Sequence, residues 1–144
     1  MEMQQLVIAG AGPAGVSAAL YAVRMGFPPL VIHNGYGALE KAEKIENYYG
    51  LPAPISGKEL YRNGLSQLQA LNVPVLKDEL LSITYDGEYT IQTSENVYHT
   101  KALILATGTK RNTLSLKELK KYEGNGISYC ALCDGFFYRE KKVA

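Results

Sequence analysis

The chain has 144 residues, of which 47% are hydrophobic and 20% are charged, and its formal net charge is +1. This length and composition fit one ordinary globular domain, or one domain and part of another. The nearly balanced charge gives no basis for binding nucleic acid or an anionic membrane. No basic segment of a signal peptide opens the chain, and it has two cysteines. We therefore expect a cytoplasmic protein whose cysteines serve redox chemistry.

The first 32 residues predict a β-α-β unit. Residues 5–9 form a short apolar run that ends in glycine, as a buried parallel strand does. Helical spacing of apolar residues follows over 13–25, and Gly26 ends it. Residues 30–32 are a second buried strand. The largely apolar stretch over residues 6–23 is interrupted by three glycines and a proline. A strand followed by a helix therefore explains this stretch better than a membrane span.

The next segments are predicted to be a long loop and a second helix. Residues 34–54 are rich in Gly, Pro, Asn and Tyr, and a loop of this length is expected to wrap a ligand. Ser56 and Glu59 have the spacing of a capping box, which predicts a helix start. We expect the apolar stripe of this helix to consist of four leucines: Leu60, Leu65, Leu68 and Leu71.

Strand-rich sequence occupies most of the remainder. Residues 73–100 contain turn signals at Asp86-Gly87 and Glu95-Asn96, which predict an antiparallel meander beside the parallel sheet. Residues 102–106 are a further buried strand. A short helix is predicted within 114–122, and residues 141–144 have the pattern of an opening strand.

A glycine-rich loop follows the first predicted strand. Gly10 permits a tight turn, Gly12 lets the backbone approach a pyrophosphate, and Gly15 allows the helix to pack closely on the strand. Pro13 suits the first helical turn, where its missing N–H would have no partner. The helix N-terminus favours phosphate binding. The alternative is a glycine-rich turn without a ligand.

The second predicted strand ends without the carboxylate that usually holds a ribose hydroxyl. His33 and Asn34 stand there instead, and either side chain could form a hydrogen bond with a ribose. An ordinary loop histidine explains His33 equally well. The missing carboxylate argues against a simple NAD-dependent dehydrogenase.

Both cysteines lie in one short motif, Cys130-Ala131-Leu132-Cys133-Asp134. This spacing lets two sulfurs form a disulfide, or lets one thiolate be activated by its neighbour. Asp134 could move a proton if burial raises its pKa. The alternatives are inert cysteines or half of a zinc site. Zinc would need two more ligands, and His33 and His99 lack metal-type spacing, so we expect no metal.

Four motifs in a fixed order give the chain a resemblance to a known family. It resembles the N-terminal part of low-molecular-weight thioredoxin reductases and close FAD-dependent pyridine nucleotide-disulfide oxidoreductases. The matching segments are Gly10-Ala11-Gly12-Pro13-Ala14-Gly15, Ile45-Glu46-Asn47-Tyr48-Tyr49-Gly50, Ala106-Thr107-Gly108 and Cys130-Ala131-Leu132-Cys133-Asp134-Gly135-Phe136-Phe137-Tyr138.

The resemblance implies an α/β Rossmann-like FAD-binding fold, a parallel sheet with helices plus an antiparallel β-meander, which ends before completion. Residues 1–112 would be the N-terminal part of the FAD-binding domain. Residues 113–144 would be a linker and the start of a pyridine-nucleotide domain that carries the cysteines.

The same resemblance implies roles for individual residues. Gly12, Pro13 and Ala14 would contact the FAD pyrophosphate, and the loop from Asn34 to Ala38, with Gly37, would lie along the cofactor. Asn47, Thr107 and Gly108 would lie near the flavin, and the Leu80 backbone would reach the adenine. Gly10, Gly15 and His33 complete the set of expected cofactor-binding residues. Cys133 would face the flavin, Cys130 would attack the partner disulfide, and Asp134 would be the acid/base. Tyr36-Gly37-Ala38 stands where the family often has Gly-Gly-Gln, so that glutamine contact is absent.

In such enzymes hydride passes from NADPH to FAD, and electrons then pass to the disulfide and on to thioredoxin. The second glycine-rich loop of the family is missing here, so we expect the chain to be a fragment that is inactive alone and that binds FAD weakly or not at all. Homodimers or self-association are expected. Two alternatives remain: a flavin disulfide reductase with another donor such as ferredoxin, and a non-catalytic nucleotide-binding or assembly module with idle cysteines.

Overall fold

The computed structural model describes residues 3–109, 117–123, 125–131 and 135–144. The chain divides into two compact units, Met1–Lys110 and Arg111–Ala144. The domain assignments made from the sequence, residues 1–112 and 113–144, stay predictions.

The described residues of the first unit form two α-helices, seven strands and a 3-10 helix. Their order along the chain is β1 (Val7–Ala9), α1 (Pro13–Arg24), β2 (Leu30–His33), a 3-10 helix (Gly37–Lys41), α2 (Gly57–Ala70), β3 (Val75–Lys77), β4 (Leu80–Tyr85), β5 (Tyr89–Thr93), β6 (Val97–Thr100) and β7 (Leu103–Leu105).

Four of these strands form a parallel sheet in the order β3-β2-β1-β7. Val7 of β1 pairs with Leu30 of β2 on one side and with Leu103 of β7 on the other. The predicted β-α-β unit is thus confirmed. A strand is also found within 102–106, but it is not buried as predicted: Ile104 is 38% and Leu105 62% exposed, because β7 is an edge strand of the sheet. A right-handed crossover through a helix explains why consecutive strands lie side by side here.

The remaining strands, β4, β5 and β6, form an antiparallel sheet in chain order. The meander predicted for residues 73–100 is therefore correct from Leu80 onward and wrong before it. Val75–Lys77 pairs in parallel with β2 as the outer strand of the first sheet. The reason is that α2 serves as a second crossover helix, so the strand after it returns to the parallel sheet.

The two faces of the parallel sheet are covered by different layers. Ile8 and Val31 point toward the helices and share a core with α1 and α2. Their neighbours Val7, Leu30 and Ile32 point to the opposite face, where they share a core with Ile91 of β5. This alternation follows from the period of two in a strand. Helices, parallel sheet and meander thus form three layers.

Helix α1 begins and ends as its sequence predicts. Pro13 occupies the first turn, and the chain leaves the helix at Met25, followed by Gly26 with a positive φ of 83°. The face toward the core carries small residues and one valine, namely Gly15, Val16, Ala19 and Ala22.

Helix α2 begins at its predicted cap, but its buried stripe differs from the prediction. The Ser56 hydroxyl accepts a hydrogen bond from the Glu59 N–H (3.2 Å). Leu68 is buried as predicted, whereas Leu71 is 43% exposed. The buried residues of α2 are Gly57, Tyr61 and Leu68. Gly57 and Gly64 bring the helix so close to its neighbours that a Cβ at Gly57 would overlap the Leu39 carbonyl.

The segment predicted as a loop, 34–54, contains ordered structure that the sequence analysis missed. A 3-10 helix spans Gly37–Lys41, and its Leu39 packs against the helical core. Ile45 and Ile55 form an antiparallel bridge that closes the rest of the segment. The partly buried Leu39 helps to order this stretch through its apolar contact.

In the second unit, the described residues contain a short helix α3 (Leu119–Tyr122) and a 3-10 helix (Gly135–Tyr138). The helix predicted for 114–122 is therefore found over its last part, and residues 110–116 lie outside the described residues. Residues 141–144 do not form the predicted strand. Among the described residues, no helix has the length and apolar character that crossing a bilayer requires.

Candidate functional site

The carboxyl edge of the parallel sheet brings together several residues that the sequence analysis singled out. The Gly10 N–H donates to the Ile32 carbonyl (2.7 Å), and the Ala106 N–H donates to the Ala9 carbonyl (2.7 Å). The Asp78 N–H donates to the His33 carbonyl (2.9 Å). These bonds join the ends of β1, β2, β3 and β7 at the edge where α/β proteins bind nucleotides.

The glycine loop packs as tightly as its spacing predicted. Gly10 has a φ of 113°, and a Cβ there would overlap the Ala106 carbonyl. A Cβ at Gly15 would overlap the Gly10 carbonyl and lie 3.4 Å from the Ala106 Cβ. The two glycines therefore let α1 start directly against the ends of β1 and β7.

Gly12 differs from these two glycines because its missing side chain faces open space. No heavy atom lies within 4 Å of the position that a Cβ would take. Gly12 is the N-cap of α1, and Pro13 and Ala14 follow it as exposed residues of the first turn. The first-turn N–H groups have no acceptor within the helix. An open cap with unpaired N–H groups fits a diphosphate.

His33 lies at the end of β2 and is held by two groups through one nitrogen. The Gly35 N–H donates to His33 Nδ1 (3.1 Å), and the Tyr61 hydroxyl lies 2.7 Å from the same atom. An amide N–H can only donate, so Nδ1 carries no proton in this arrangement and the Tyr61 hydroxyl also donates to it. The ring proton is then on Nε2.

Burial and one nearby positive charge favour the neutral imidazole of His33. Burial lowers the pKa of His33 from its ordinary value of 6.5. The Gly35 main chain acts in the opposite direction with a smaller effect, and the positive charge of Lys77 lowers the pKa further. Burial raises the pKa of the Tyr61 phenol, and Tyr36 adds to this effect. Both partners of the hydrogen bond are therefore neutral near pH 7.

Tyr61 and Tyr36 were missed by the sequence analysis. Tyr61 is 5% exposed, and its ring lies 4.8 Å from that of Tyr36 and 5.9 Å from that of His33. The Lys58 ammonium lies 5.8 Å from the centre of the Tyr36 ring. The signal for Tyr61 was its place in a helical stripe with Gly57, Gly64 and Leu68.

The other predicted cofactor residues lie in three places. Leu80 is the first residue of β4 and packs against the core under the meander. Thr107 and Gly108 are exposed just after β7, and Gly108 has a φ of 71°. The remaining four, Asn34, Gly37, Ala38 and Asn47, are exposed in the segment between β2 and α2. Their contacts with a cofactor stay predictions.

Two cavities open near this edge. A pocket of about 130 Å³ lies between α1 and α2 and is lined by Gly12, Pro13 and Tyr61 among others. A wider groove of about 510 Å³ follows the outer side of β3, and His33, Lys77, Gln69 and Asn72 contribute its polar groups. His33 and the glycine loop thus each border a space outside the protein core.

The cysteine segment belongs to the second unit. Cys130 takes part in a disulfide. The Cys130 N–H donates to the Ser128 hydroxyl (3.1 Å). Cys133 and Asp134 lie outside the described residues. Phe136 and Phe137 lie three and four residues beyond Cys133 in the chain. Their ring centroids are 4.0 Å apart, and the residues are 58% and 62% exposed.

Among the residues that the structure describes, no group of three or more His, Cys, Asp or Glu side chains is placed to hold a metal ion.

Comparison with known proteins gives consistent results. The chain matches the family model "Pyridine nucleotide-disulphide oxidoreductase" over residues 4–144. It is 33% identical to a thioredoxin reductase from Streptomyces coelicolor, with 99% of this chain and 46% of the relative aligned. The chain therefore spans about half the length of the curated relatives that it matches.

Solved structures show the same likeness. The crystal structure of thioredoxin reductase from Streptococcus pyogenes superposes with a TM-score of 0.82 at 36% identity, over 95% of this chain and 45% of that one. A ferredoxin-flavin thioredoxin reductase from Clostridium acetobutylicum gives a TM-score of 0.70 at 30% identity, over 96% and 48%. The chain has the Rossmann-like FAD-binding fold of thioredoxin reductase. It belongs to the pyridine nucleotide-disulphide oxidoreductase family.

Proposed function

We propose that the chain carries the dinucleotide loop and the redox-active disulfide of an FAD-dependent disulfide oxidoreductase of the thioredoxin-reductase type. The observation that carries this proposal is the disulfide at Cys130 in a chain with only two cysteines. The open cap at Gly12, built against β1 and β7, supports a dinucleotide cofactor. In cytosolic proteins a disulfide is usually catalytic or redox-sensing and rarely structural.

FAD would be held at its diphosphate by the α1 N-terminus, with Gly12, Pro13 and Ala14 against it, while Gly10 and Gly15 shape the loop from behind. The predicted contacts of Asn34, Gly37, Ala38, Asn47, Leu80, Thr107 and Gly108 along the cofactor are part of this proposal. Bound FAD, once reduced by the electron donor, would supply the two electrons that reduce the Cys130–Cys133 disulfide.

The reduced cysteine pair then performs thiol–disulfide exchange. The Cys130 thiolate attacks one sulfur of the partner disulfide, which forms a mixed disulfide and releases one partner thiolate. The Cys133 thiolate next attacks the Cys130 sulfur, restores the Cys130–Cys133 disulfide and releases the second partner thiolate. Two electrons pass to the partner, and Asp134 serves as the group that moves protons.

A thioredoxin-type protein is the proposed partner. The exposed rings of Phe136 and Phe137 follow the cysteine motif closely in the chain. Aromatic rings of this exposure supply the anchor residues of protein interfaces. A protein disulfide would gain this contact, whereas a small disulfide would not. The same proposal includes self-association of the chain. It also includes a cytoplasmic location, where disulfides are usually catalytic or redox-sensing.

The electron donor has two candidates. NADPH is the donor that the resemblance implies for the family. The likeness to a protein named ferredoxin-flavin thioredoxin reductase favours ferredoxin as the second candidate. Reduction of flavin-loaded protein by NADPH and by reduced ferredoxin, followed at the flavin absorption band, separates the two.

Two measurements test the proposal. The first is a visible absorption spectrum after incubation with FAD and gel filtration, with Gly12→Ala as the matched variant. The proposal predicts a flavin band that the wild type retains and the variant weakens, in contrast to the expectation from the sequence that this chain alone binds FAD weakly or not at all. A spectrum without flavin would overturn FAD binding by this chain.

The second measurement follows the cysteines without any cofactor. The chain is reduced chemically, freed of reductant and mixed with oxidised thioredoxin, and the free thiols of both proteins are counted over time. Transfer that stops in Cys130→Ser supports the redox function. Thiols that do not exchange in the wild type would favour the non-catalytic module.

A further inference from the structure

A part-buried polar contact at the sheet edge joins two elements that are far apart in the chain. Tyr61, in the middle of α2, places its hydroxyl 2.7 Å from Nδ1 of His33 at the end of β2. Gly35 N–H donates to the same nitrogen from the following loop. Buried tyrosine hydroxyls need a partner. Here that partner is a ring nitrogen that also receives a main-chain N–H.

This arrangement decides what the exposed part of the imidazole can do. With Nδ1 used as an acceptor by two donors, the proton is on Nε2, which is then a donor. His33 also lines the groove beside β3, together with Lys77. The second strand of a dinucleotide fold usually presents an acceptor, a carboxylate, to the ribose. In this chain the same position presents a donor.

We propose that Tyr61 is a positioning residue: it holds His33 in the tautomer whose Nε2–H donates to a ribose hydroxyl oxygen at the adenosine end of the bound dinucleotide. This inference rests on the proposed function, since it assumes that a dinucleotide binds at the carboxyl edge of the sheet. It adds a residue of α2 to a site whose predicted cofactor residues all lie outside that helix.

The electrostatic surroundings support a neutral donor. The groups that face His33 are Tyr61 from α2, Lys77 from β3 and the main chain of Gly35. None of them is a carboxylate that would favour a charged imidazolium. Burial lowers the pKa of His33, in agreement with a ring that stays neutral and keeps one fixed donor.

The first test reads the tautomer directly. The chain has two histidines, so His99→Gln leaves a single imidazole whose ¹⁵N and ¹H resonances belong to His33. We expect an unprotonated Nδ1 and a protonated Nε2 in this background, and a population with protonated Nδ1 after Tyr61→Phe. A protonated Nδ1 before the tyrosine is changed would overturn the inference without touching the proposed function.

The second test reads the ribose contact with 5′-AMP and 2′,3′-dideoxy-AMP as probes. One hydrogen bond corresponds to a roughly two- to tenfold preference for AMP. We expect this preference in the wild type, and its loss in Tyr61→Phe and in His33→Ala. The matched control is Tyr98→Phe, which removes a hydroxyl under the meander, on the other face of the sheet. Thermal unfolding of each variant shows whether it is folded.

The outcomes are distinguishable. Equal affinities of the wild type for AMP and dideoxy-AMP, with FAD still bound, would overturn the ribose contact alone. A preference that survives Tyr61→Phe would overturn the role of Tyr61. Absence of binding by AMP and FAD would overturn both the ribose contact and the proposed function.

Discussion

The carbonyl oxygen of Gly10 occupies the position that a Cβ atom of residue 15 would need. Gly10 ends the first strand and Gly15 lies in the first turn of α1, so this contact fixes how closely the helix approaches the sheet. Because the obstructing atom belongs to the main chain, a larger residue at position 15 can be fitted only if the helix moves.

Gly15→Ala is therefore expected to destabilise the first unit. An added methyl group in a tightly packed position costs about 1–3 kcal/mol. The free energy of unfolding, measured with urea, should fall by that amount. Gly12→Ala serves as the control, because its methyl group would meet no protein atom. Equal stability of Gly15→Ala and wild type would contradict the close approach.

Gly12→Ala itself is expected to separate binding from stability. Its unfolding free energy should fall by roughly 1 kcal/mol, since alanine is a poorer N-cap than glycine. Its FAD affinity should fall roughly tenfold or more, since the methyl group would occupy the space of the pyrophosphate. Fluorescence titration with FAD measures the difference. Unchanged affinity would show that the cap faces no phosphate.

Asp78 is expected to make the stability of the chain depend on acid pH. The polar side chains of Thr93 and Ser94 and nearby main-chain N–H groups lower the pKa of its carboxyl below the ordinary value of 3.8, against the effect of burial. The Ser94 hydroxyl donates to Oδ1 at 2.7 Å and the Glu79 N–H at 2.8 Å. A lowered pKa in the folded state means that the stabilisation is complete above the unfolded pKa and is lost as the pH falls through the folded one.

The corresponding variant is Asp78→Asn. We expect a lower melting temperature at pH 7 and a smaller further loss between pH 4 and pH 2 than in the wild type, because the variant has no carboxylate left to protonate there. Asp86→Asn, at the exposed turn after β4, is the control. Parallel melting curves of Asp78→Asn and wild type across this range would refute the assignment.

Phe136 and Phe137 are expected to affect exchange with a protein disulfide and to spare exchange with a small one. Replacing both by alanine removes the exposed aromatic surface that follows the cysteine motif. Loss of anchor residues costs an interface more than 1 kcal/mol, so the rate with thioredoxin at limiting concentration should fall roughly fivefold or more. The rate with a small aromatic disulfide should stay unchanged. A parallel fall with both substrates would point to damage at the cysteines instead.

Local signals made the first part of the fold predictable. The end of β1, the glycines of the loop, Pro13 and the Ser56 cap each act within one or two turns of chain, where spacing alone carries the information. The resemblance of the motifs then gave the family and fold class, which the comparisons confirm. Contacts of the predicted cofactor residues are not tested by either.

Interactions between distant segments were not predictable in the same way. Leucine spacing suggested one buried face for α2, whereas close approach through Gly57 and Gly64 turned Tyr61 inward. The bond of Tyr61 to His33 joins residues 28 positions apart, and no spacing rule connects them. The place of β3 in the parallel sheet likewise depends on where α2 returns the chain. The local sequence pattern of β3 contains no information about that position.

The order β3-β2-β1-β7 has a consequence for synthesis on the ribosome. Strand β1 is central in the sheet, yet one of its two partners, β7, ends the first unit. Until β7 has left the exit tunnel, β1 has an open edge of unpaired main-chain groups, which invites wrong pairing. The sheet closes only when nearly the whole first unit is available, so we expect its folding to be late in translation and slow, as long-range strand pairing is in general.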